Sequence, residues 1–519
     1  MFEHIRTPFR ETGNKITCRD CSFPNPFFPD YNKTVIHRWV IMKKNKGSKE
    51  PLYIQLANEI VSNIVSNIYK PGEKLPSIRQ MSESRGISIM TVLKSYQDLI
   101  SRGYIVSRPQ SGYFVIGKQE IENLQKHIEL SGPRHVEMPD MTRLVLLDSS
   151  NESLIPLGSG VPAQSLLPVT QLSRITTKLL QNQKVPLHIT GNAEGNTDLR
   201  MQLAKHMFVS NTPVQADDII VTSGCNEAIF IALSVVCNPG DLVAVESPCY
   251  FGVLQIMQEL GLRAIEIPAD PVTGINIDAL STALEQNPIH AIFVNSNCNN
   301  PLGGSIPEEN KKRLAQLTEK YNIPLIEDDS IGDLYFGKIR PGTIKAHDKK
   351  GLILYCSSFS KVLAPSYRVG WIVPGRYKKQ VIQFKHALNL STSPLLQSAI
   401  ASYLEMGLYD RQLRKSKKVY FQKIIQMRDC IRDIFPQGTK ISQPLGGMFL
   451  WVSLPRQIDT VRLYHAARGK GISLVPGQMF SILDTYSNCL RMNAACFEPE
   501  MKPVFYTLQT LIREQMELP

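Results

Sequence analysis

Between about residues 151 and 385 short apolar runs alternate with stretches of helical period, and that alternation admits few folds. Strands buried on both faces need crossovers between them, and crossovers of helical length put helices against a mostly parallel sheet. Leu352-Ile353-Leu354-Tyr355-Cys356 is one such run, and Pro324-Leu325-Ile326-Glu327-Asp328-Asp329 is another that ends in acids. In a third, Asp218-Ile219-Ile220-Val221-Thr222-Ser223 predicts a short buried strand, Gly224 a tight turn, and Cys225-Asn226-Glu227-Ala228 the start of an apolar helix running to about Val236. A strand, a glycine and a helix start offer free N–H groups to a phosphate. At 519 residues and 43% hydrophobic content the chain exceeds one ordinary core and suits a small domain joined to a large one.

The small domain is read at residues 49–118. Leu52, Leu56, Ile60, Ile64 and Ile68 recur every four residues, which predicts an amphipathic helix ending at Pro71-Gly72. Ser77 and Gln80 form a capping-box pair that starts a second helix, broken by Gly86. Ser88 caps a third helix with Val92, Tyr96 and Leu99 inward and with Met90, Thr91, Lys94 and Ser95 on or near the outer face. Tyr104–Ser107 and Tyr113–Ile116 read as strands joined by Arg108-Pro109-Gln110-Ser111-Gly112, giving three helices and a two-stranded wing. This is an N-terminal winged helix-turn-helix. Charge is concentrated there: residues 42–118 hold 12 Lys and Arg against 5 Asp and Glu, out of a net charge of +12 for the whole chain. Such a footprint suits phosphate-backbone binding with strong salt dependence, so double-stranded DNA is the expected partner.

Residues 119–150 read as a polar linker with a breaker at Ser131-Gly132-Pro133, and residues 151–519 as the large domain. Ten cysteines in a chain of this length do not make a secreted disulfide framework, so a cytoplasmic location is expected. Cys18 and Cys21 have metal-type spacing but no second ligand pair, and no metal site is expected. No apolar run reaches the length of a membrane span, and residues 1–41 lack the order of a signal peptide. Residues 1–48 form an extension outside either domain, and translation is expected to start at Met42.

Lys361, in Ser357-Ser358-Phe359-Ser360-Lys361, follows an apolar strand that would desolvate its amine and leave a neutral nucleophile accessible. Hydroxyls at Ser358 and Ser360 and the guanidinium of Arg368 stand near it in sequence, the last able to grip a phosphate through two bonds. The segment is similar to the pyridoxal-phosphate lysine segment of fold type I aminotransferases. Six further stretches occur in the family's order: Gly191 to Arg200, the Gly224 turn, Glu246-Ser247-Pro248-Cys249-Tyr250, Asn299-Asn300-Pro301-Leu302-Gly303, the Glu327-Asp328-Asp329 strand end, and Asn488-Cys489-Leu490-Arg491-Met492-Asn493. The resemblance implies pyridoxal 5'-phosphate as cofactor and an α/β type I transferase fold, with a large, mostly parallel sheet domain and a smaller α+β lobe in the last 130 residues. It implies Lys361 as the covalent anchor, Gly224, Cys225, Asn226, Ser358 and Arg368 around the phosphate, and Tyr250 stacked on the ring. It also implies Asn300 at the ring oxygen, Asp328 (Asp329 less so) at the ring nitrogen, and Arg491 on a substrate or effector carboxylate.

Two departures accompany the match. The tyrosine usual two or three residues after the nitrogen-binding Asp is replaced by Ser330 and Ile331, with Tyr335 as a candidate substitute, and a second family tyrosine aligns with Thr190, followed by Ala193 in place of proline. Both count against fast transamination. Residues 51–115 resemble the GntR class of bacterial repressor domains, which implies DNA contacts from Arg79, Ser88, Met90, Thr91, Lys94, Arg108, Ser111 and Gly112. Where that class commonly has arginine after Ser88, this chain has Ile89, which points to thymine-methyl and shape readout. Together the two resemblances are those of MocR-type transcriptional regulators: homodimers whose large domain senses pyridoxal phosphate or its adduct with an amino acid or amine, acting at the bacterial nucleoid. The alternative is a working aminotransferase with a vestigial DNA-binding arm.

Overall fold

The computed structural model describes residues 51–66, 68–70, 72–101, 104–108, 112–115, 132–139, 141–183, 185 and 188–517. Residues 1–48, Met42, Cys18 and Cys21, Ser111 and most of the 119–133 connector lie outside the described residues.

Helix α1 (Leu52–Val65) buries Leu56, Ile60 and Ile64, the middle of the four-residue stripe. The stripe's ends, Leu52 and Ile68, are exposed, and Ile68 lies beyond the helix. Helix α2 (Ile78–Arg85) starts as its sequence predicts. Gln80 N–H donates to Ser77 Oγ at 3.3 Å while Ser77 N–H donates back to Gln80 Oε1 at 2.9 Å, and Gly86 closes the helix at φ +62°. Helix α3 (Ile89–Ser101) packs Val92, Tyr96 and Leu99 inward. Ser95, expected on or near the outer face, is fully buried, because position 95 continues the 92, 96, 99 stripe at a spacing of three. The Tyr96 hydroxyl donates to Pro76 O at 2.8 Å, and Arg85 pairs with Glu59 at 2.6 Å, so α3 and α1 are both tied to α2. Strands β1 (Ile105–Arg108) and β2 (Gly112–Val115) pair antiparallel from Ile105↔Val115 to Arg108↔Gly112.

The large domain is built on one sheet of nine strands among the described residues: β3 (Arg134–His135), β4 (Ile220–Thr222), β5 (Leu242–Ser247), β6 (Arg263–Asp270), β7 (Gly274–Ile275), β8 (Ile289–Asn295), β9 (Leu325–Asp328), β10 (Ile353–Ser358) and β11 (Gly370–Val373). Their order is β3-β6-β5-β8-β9-β10-β11-β4, with β7 paired to β6. Strands β6, β5, β8, β9 and β10 run parallel, and β11 is antiparallel to both β10 and β4. The apolar runs split by alternation. Leu242 and Ala244 face one cluster with Ile292 and Val294, while Val243 and Val245 face another with Ala291 and Phe293.

Residues 134–148, read in sequence as part of the linker, belong to the large domain. β3 adds an antiparallel edge to β6, and the helix Met141–Asp148 buries Met141 and Val145 against Leu450 and Trp451. Asp148 accepts hydrogen bonds from Tyr464 Oη at 2.7 Å and Arg468 Nε at 3.0 Å. The polar character of residues 119–133 masked the apolar stripe that follows them.

The smaller lobe carries a four-stranded antiparallel sheet, β12 (Lys440–Ile441), β13 (Phe449–Ser453), β14 (Val475–Pro476) and β15 (Cys489–Asn493), ordered β12-β13-β15-β14. The 27-residue helix Leu408–Ile434 joins the lobes: Tyr409 and Tyr420 pack in the core cluster that holds Trp371, while Ile424, Met427, Ile431 and Ile434 pack in the cluster that holds Trp451.

Candidate functional site

The sequence-predicted groups collect where parallel strands end, the usual ligand position of such sheets. Asp328 closes β9, Ser358 closes β10, Gly224 follows β4, Tyr250 follows β5 and Asn300 follows β8. Arg491 reaches the same place from β15 of the smaller lobe.

The Lys361 amine donates to Gly160 O at 2.6 Å. Burial lowers its pKa to about 8, the Arg491 and Arg368 guanidiniums push the same way, and the Asp328 carboxylate opposes them. A sizeable neutral fraction is therefore present near neutral pH. Asp328 is buried and held by two donors on Oδ1, the Ser330 N–H at 2.9 Å and the Cys225 thiol at 3.4 Å. Burial raises its pKa, and the hydrogen bonds from Ser330, Cys225 and Asn295 pull it back. Asp329, the second candidate, is committed elsewhere: it takes Arg340 Nη2 at 2.5 Å, Tyr355 Oη at 2.9 Å and Asn297 Nδ2 at 2.9 Å. Arg340 also pairs with Asp333 at 2.6 Å, and Asp333 meets His206 at 3.0 Å, so that network anchors the strand end from behind.

Arg491 is 2% exposed. Its Nη2 donates to Gly158 O at 2.7 Å and its Nη1 lies 3.5 Å from Asn300 Oδ1, whereas Nε is buried without a partner. The guanidinium sits 4.5 Å from the Phe449 ring centroid and makes no carboxylate pair among the described residues. Burial lowers its pKa to about 10. A buried cation in this condition is complementary to an incoming carboxylate. Arg368, at φ +50°, donates to Ser223 O at 3.1 Å, and a Cβ on Gly224 (φ +91°) would lie 2.5 Å from Arg368 Nη2. At that φ a side chain is strained, and one would also have to displace the guanidinium. Cys225 and Asn226 then open the helix Cys225–Val236, and the Asn226 side chain hydrogen-bonds the Tyr250 hydroxyl. Ser358 pairs with Gly370 in the β10–β11 register.

The residues of the first departure, Ile331 and its candidate substitute Tyr335, have distinct environments. Ile331 is buried in an apolar cluster with Leu334, so a hydrophobic side chain fills the stretch where a tyrosine is usual. Tyr335 bridges to Gly446, at the boundary of the lobes, as a packed aromatic. Sequence reasoning missed Gly158 and Gly160, whose carbonyls receive Arg491 and Lys361. A Cβ on Gly158 would lie 2.6 Å from the Leu474 backbone, and the Gly-Ser-Gly spacing at residues 158–160 was the available signal.

On the small domain, Arg79 is exposed, Met90 is 63% exposed, and Lys94 is exposed with its amine 4.0 Å from the Tyr53 ring centroid. Ser88 Oγ accepts the Thr91 N–H at 3.1 Å and meets the Thr91 hydroxyl at 2.8 Å, so it caps α3. Arg108 and Gly112 pair at the wing tip, Gly112 at φ +109°. No group of His, Cys, Asp and Glu that could hold a metal occurs among the described residues, and none of their helices is long and apolar enough to cross a membrane.

Comparison with known proteins shows the class to which this fold belongs. Residues 152–505 match the family model for aminotransferase class I and II, and residues 52–115 match that for bacterial regulatory proteins of the gntR family. The chain belongs to the class I and II aminotransferase family and carries a GntR-type DNA-binding domain in front of it. It is 39% identical over 452 residues to the HTH-type transcriptional regulator YjiR of Escherichia coli K12, covering 85% of this chain and 94% of that protein. It is 35% identical to YdcR of the same organism, covering 85% and 95%. Among solved structures, the kynurenine aminotransferase of Pyrococcus horikoshii superposes with a TM-score of 0.67 at 28% identity, covering 74% of this chain and 96% of that one. The relatives that share both domains are named transcriptional regulators, so the architecture is that of a MocR-type regulator.

Proposed function

We propose that the chain is a transcriptional regulator that reads an operator through α3 and the wing and senses pyridoxal phosphate, or its adduct with an amino acid or amine, in the large domain. Lys361 would anchor the cofactor, Arg368 with the turn at Gly224, Cys225 and Asn226 would hold its phosphate, and Ser358 would lie beside them. Tyr250 would cover the ring, Asn300 would face its oxygen, and Asp328 its nitrogen. The groove reader would use Arg79, Met90, Thr91, Lys94, Arg108 and Gly112, with Ser88 orienting α3. When bound, the cofactor supplies an aldehyde for amines and, once its ring nitrogen is protonated, an electron sink.

The observation that carries the sensing half is Arg491: a guanidinium buried to 2% exposure, with an unpartnered Nε and no carboxylate pair among the described residues, beside a lysine whose pKa is lowered to about 8. Lys361 and Arg491 come from different lobes, so a ligand bridging them has different contacts in open and closed arrangements, which is what a population shift needs. We also propose a homodimer, which would present two groove readers to a paired operator. Operator retention measured with and without pyridoxal phosphate, for wild type and Lys361→Ala, tests the reading, alongside steady-state transamination on an amino-acid panel. Cofactor-dependent, sequence-specific retention supports regulation. Turnover at ordinary enzyme rates without sequence-specific binding establishes the working aminotransferase instead.

A further inference from the structure

Glu227 stands third in the helix Cys225–Val236, the place from which an acidic side chain can reach back over the helix start. Here it reaches one residue past the usual partner: its Oε2 accepts the N–H of Ser223, the residue before the Gly224 cap. Arg368 Nη2 donates to the carbonyl of that same residue at 3.1 Å. Ser223 is thus held by a carboxylate at its N–H and by a guanidinium at its oxygen, directly before a glycine at φ +91°. Because that glycine brings no side chain, the first-turn N–H groups meet no side-chain cap. Where they point follows from how the peptide ahead of them is set.

A carboxylate beside a phosphate site repels the ligand unless its charge is offset. Glu227 Oε1 accepts from Asn389 Nδ2, and Asn389 Oδ1 accepts from the Lys385 amine at 2.9 Å, so one amide joins the acid to a fully buried cation. Burial lowers the pKa of Lys385, and the charge of Glu227 opposes that. Asn389 is also the first residue of a tight turn: Leu390 lies at φ +60° and ψ −61°, and the Ser391 N–H donates to Asn389 O at 2.6 Å. A leucine there is strained, and strain of this kind persists only where neighbouring contacts fix it. The grip of Asn389 on Glu227 and Lys385, with Lys385 also on Thr392 Oγ1 at 3.3 Å, supplies such contacts on both sides of the turn.

We propose that Glu227 is a positioning residue for the cofactor phosphate: it sets the Ser223–Gly224 peptide, and Asn389 with Lys385 holds and neutralises it from behind. The inference rests on the reading of Arg368 and the Gly224 turn as the phosphate holder and adds three residues to it. Lys361 lies outside this chain of contacts, so aldehyde capture as such does not depend on it.

Pyridoxal and pyridoxal phosphate both offer an aldehyde to Lys361, and only one carries a phosphate. Dissociation constants of the two are measured on cofactor-free protein from the visible band. Glu227→Ala should weaken pyridoxal phosphate about tenfold or more and leave pyridoxal within about twofold of wild type, whereas Glu227→Gln, which keeps an acceptor for the Ser223 N–H, should stay within about threefold for both. Asn389→Ala leaves the acid in place but parts it from Lys385; it should weaken pyridoxal phosphate alone, by about threefold or more, and it carries the test if Glu227→Ala does not fold. The proposal is overturned if these alanine variants keep the wild-type preference for the phosphorylated aldehyde, or if pyridoxal loses as much as pyridoxal phosphate. The two readings fail separately: a wild type that takes neither aldehyde, or does not prefer the phosphorylated one, sinks the phosphate holder itself, whereas a preference untouched by Glu227→Ala sinks only Glu227.

Discussion

If the Lys361 amine titrates at about 8 rather than at its ordinary 10.5, capture of pyridoxal phosphate by cofactor-free protein should follow a particular pH curve. At pH 7 roughly 10% of the amine is then neutral, against roughly 0.03% for an unperturbed lysine, an advantage of about 300-fold in nucleophile. Rapid mixing of cofactor-free protein with pyridoxal phosphate, followed at the visible band from about pH 6 to 10, should give a second-order rate that rises about tenfold per pH unit and levels off above about pH 8. The neighbours fix the direction of two shifts. Asp328 favours the charged amine, so Asp328→Asn should move the midpoint down, and Arg491 disfavours it, so Arg491→Leu should move it up. Stability is linked to the same titration: between the folded value near 8 and the unfolded 10.5 the unfolded chain binds the extra proton, so stability rises with pH across that window. The margin by which Lys361→Met exceeds wild type in stability should therefore narrow as pH climbs from 8 to 10.5. A capture rate still climbing at pH 10 with unchanged slope would refute the desolvation argument.

Three further outcomes are expected. Arg491→Leu should weaken binding of an amino acid by about tenfold to a hundredfold in calorimetric titration of the loaded protein, with little effect on a simple amine, because in the proposed reading the guanidinium would meet the ligand through its carboxylate alone. Lys94→Ala and Arg79→Ala should each weaken operator binding and reduce the slope of log affinity against log salt by about one, measured by fluorescence anisotropy at several salt concentrations. Ser77→Ala removes the α2 cap bond and should destabilise the small domain by about 1 kcal/mol, read from local hydrogen exchange of α2; exchange equal to wild type would show that the cap is redundant.

Where one local rule decides, the sequence was enough. The Leu56–Ile60–Ile64 stripe, the Ser77–Gln80 box and the strand–Gly224–helix turn each follow from spacing or from one residue's conformational needs, and each stands where expected. Pairings between distant segments were not legible. β4 is the second strand of the sheet in chain order, yet it occupies the edge beside β11, a placement that no local pattern encodes. Arg491 and Lys361 take the Gly158 and Gly160 carbonyls, which lie 333 and 201 residues away along the chain. Residues 134–148 read as connector because their two-residue strand carries charge and their helix is short. The resemblance already favoured Asp328 over Asp329, but the Arg340 pair that occupies Asp329 is a contact the sequence does not give.

The helix Leu408–Ile434 has its first turns in one core and its later turns in the other. Neither lobe is a removable cassette. Cutting the chain near residue 437 would strip Ile424, Met427 and Ile431 of their neighbours and leave a greasy stalk projecting into water. An exchange of the last 80 or so residues would cut through a shared girder, so the smaller lobe is open to point changes and closed to wholesale replacement.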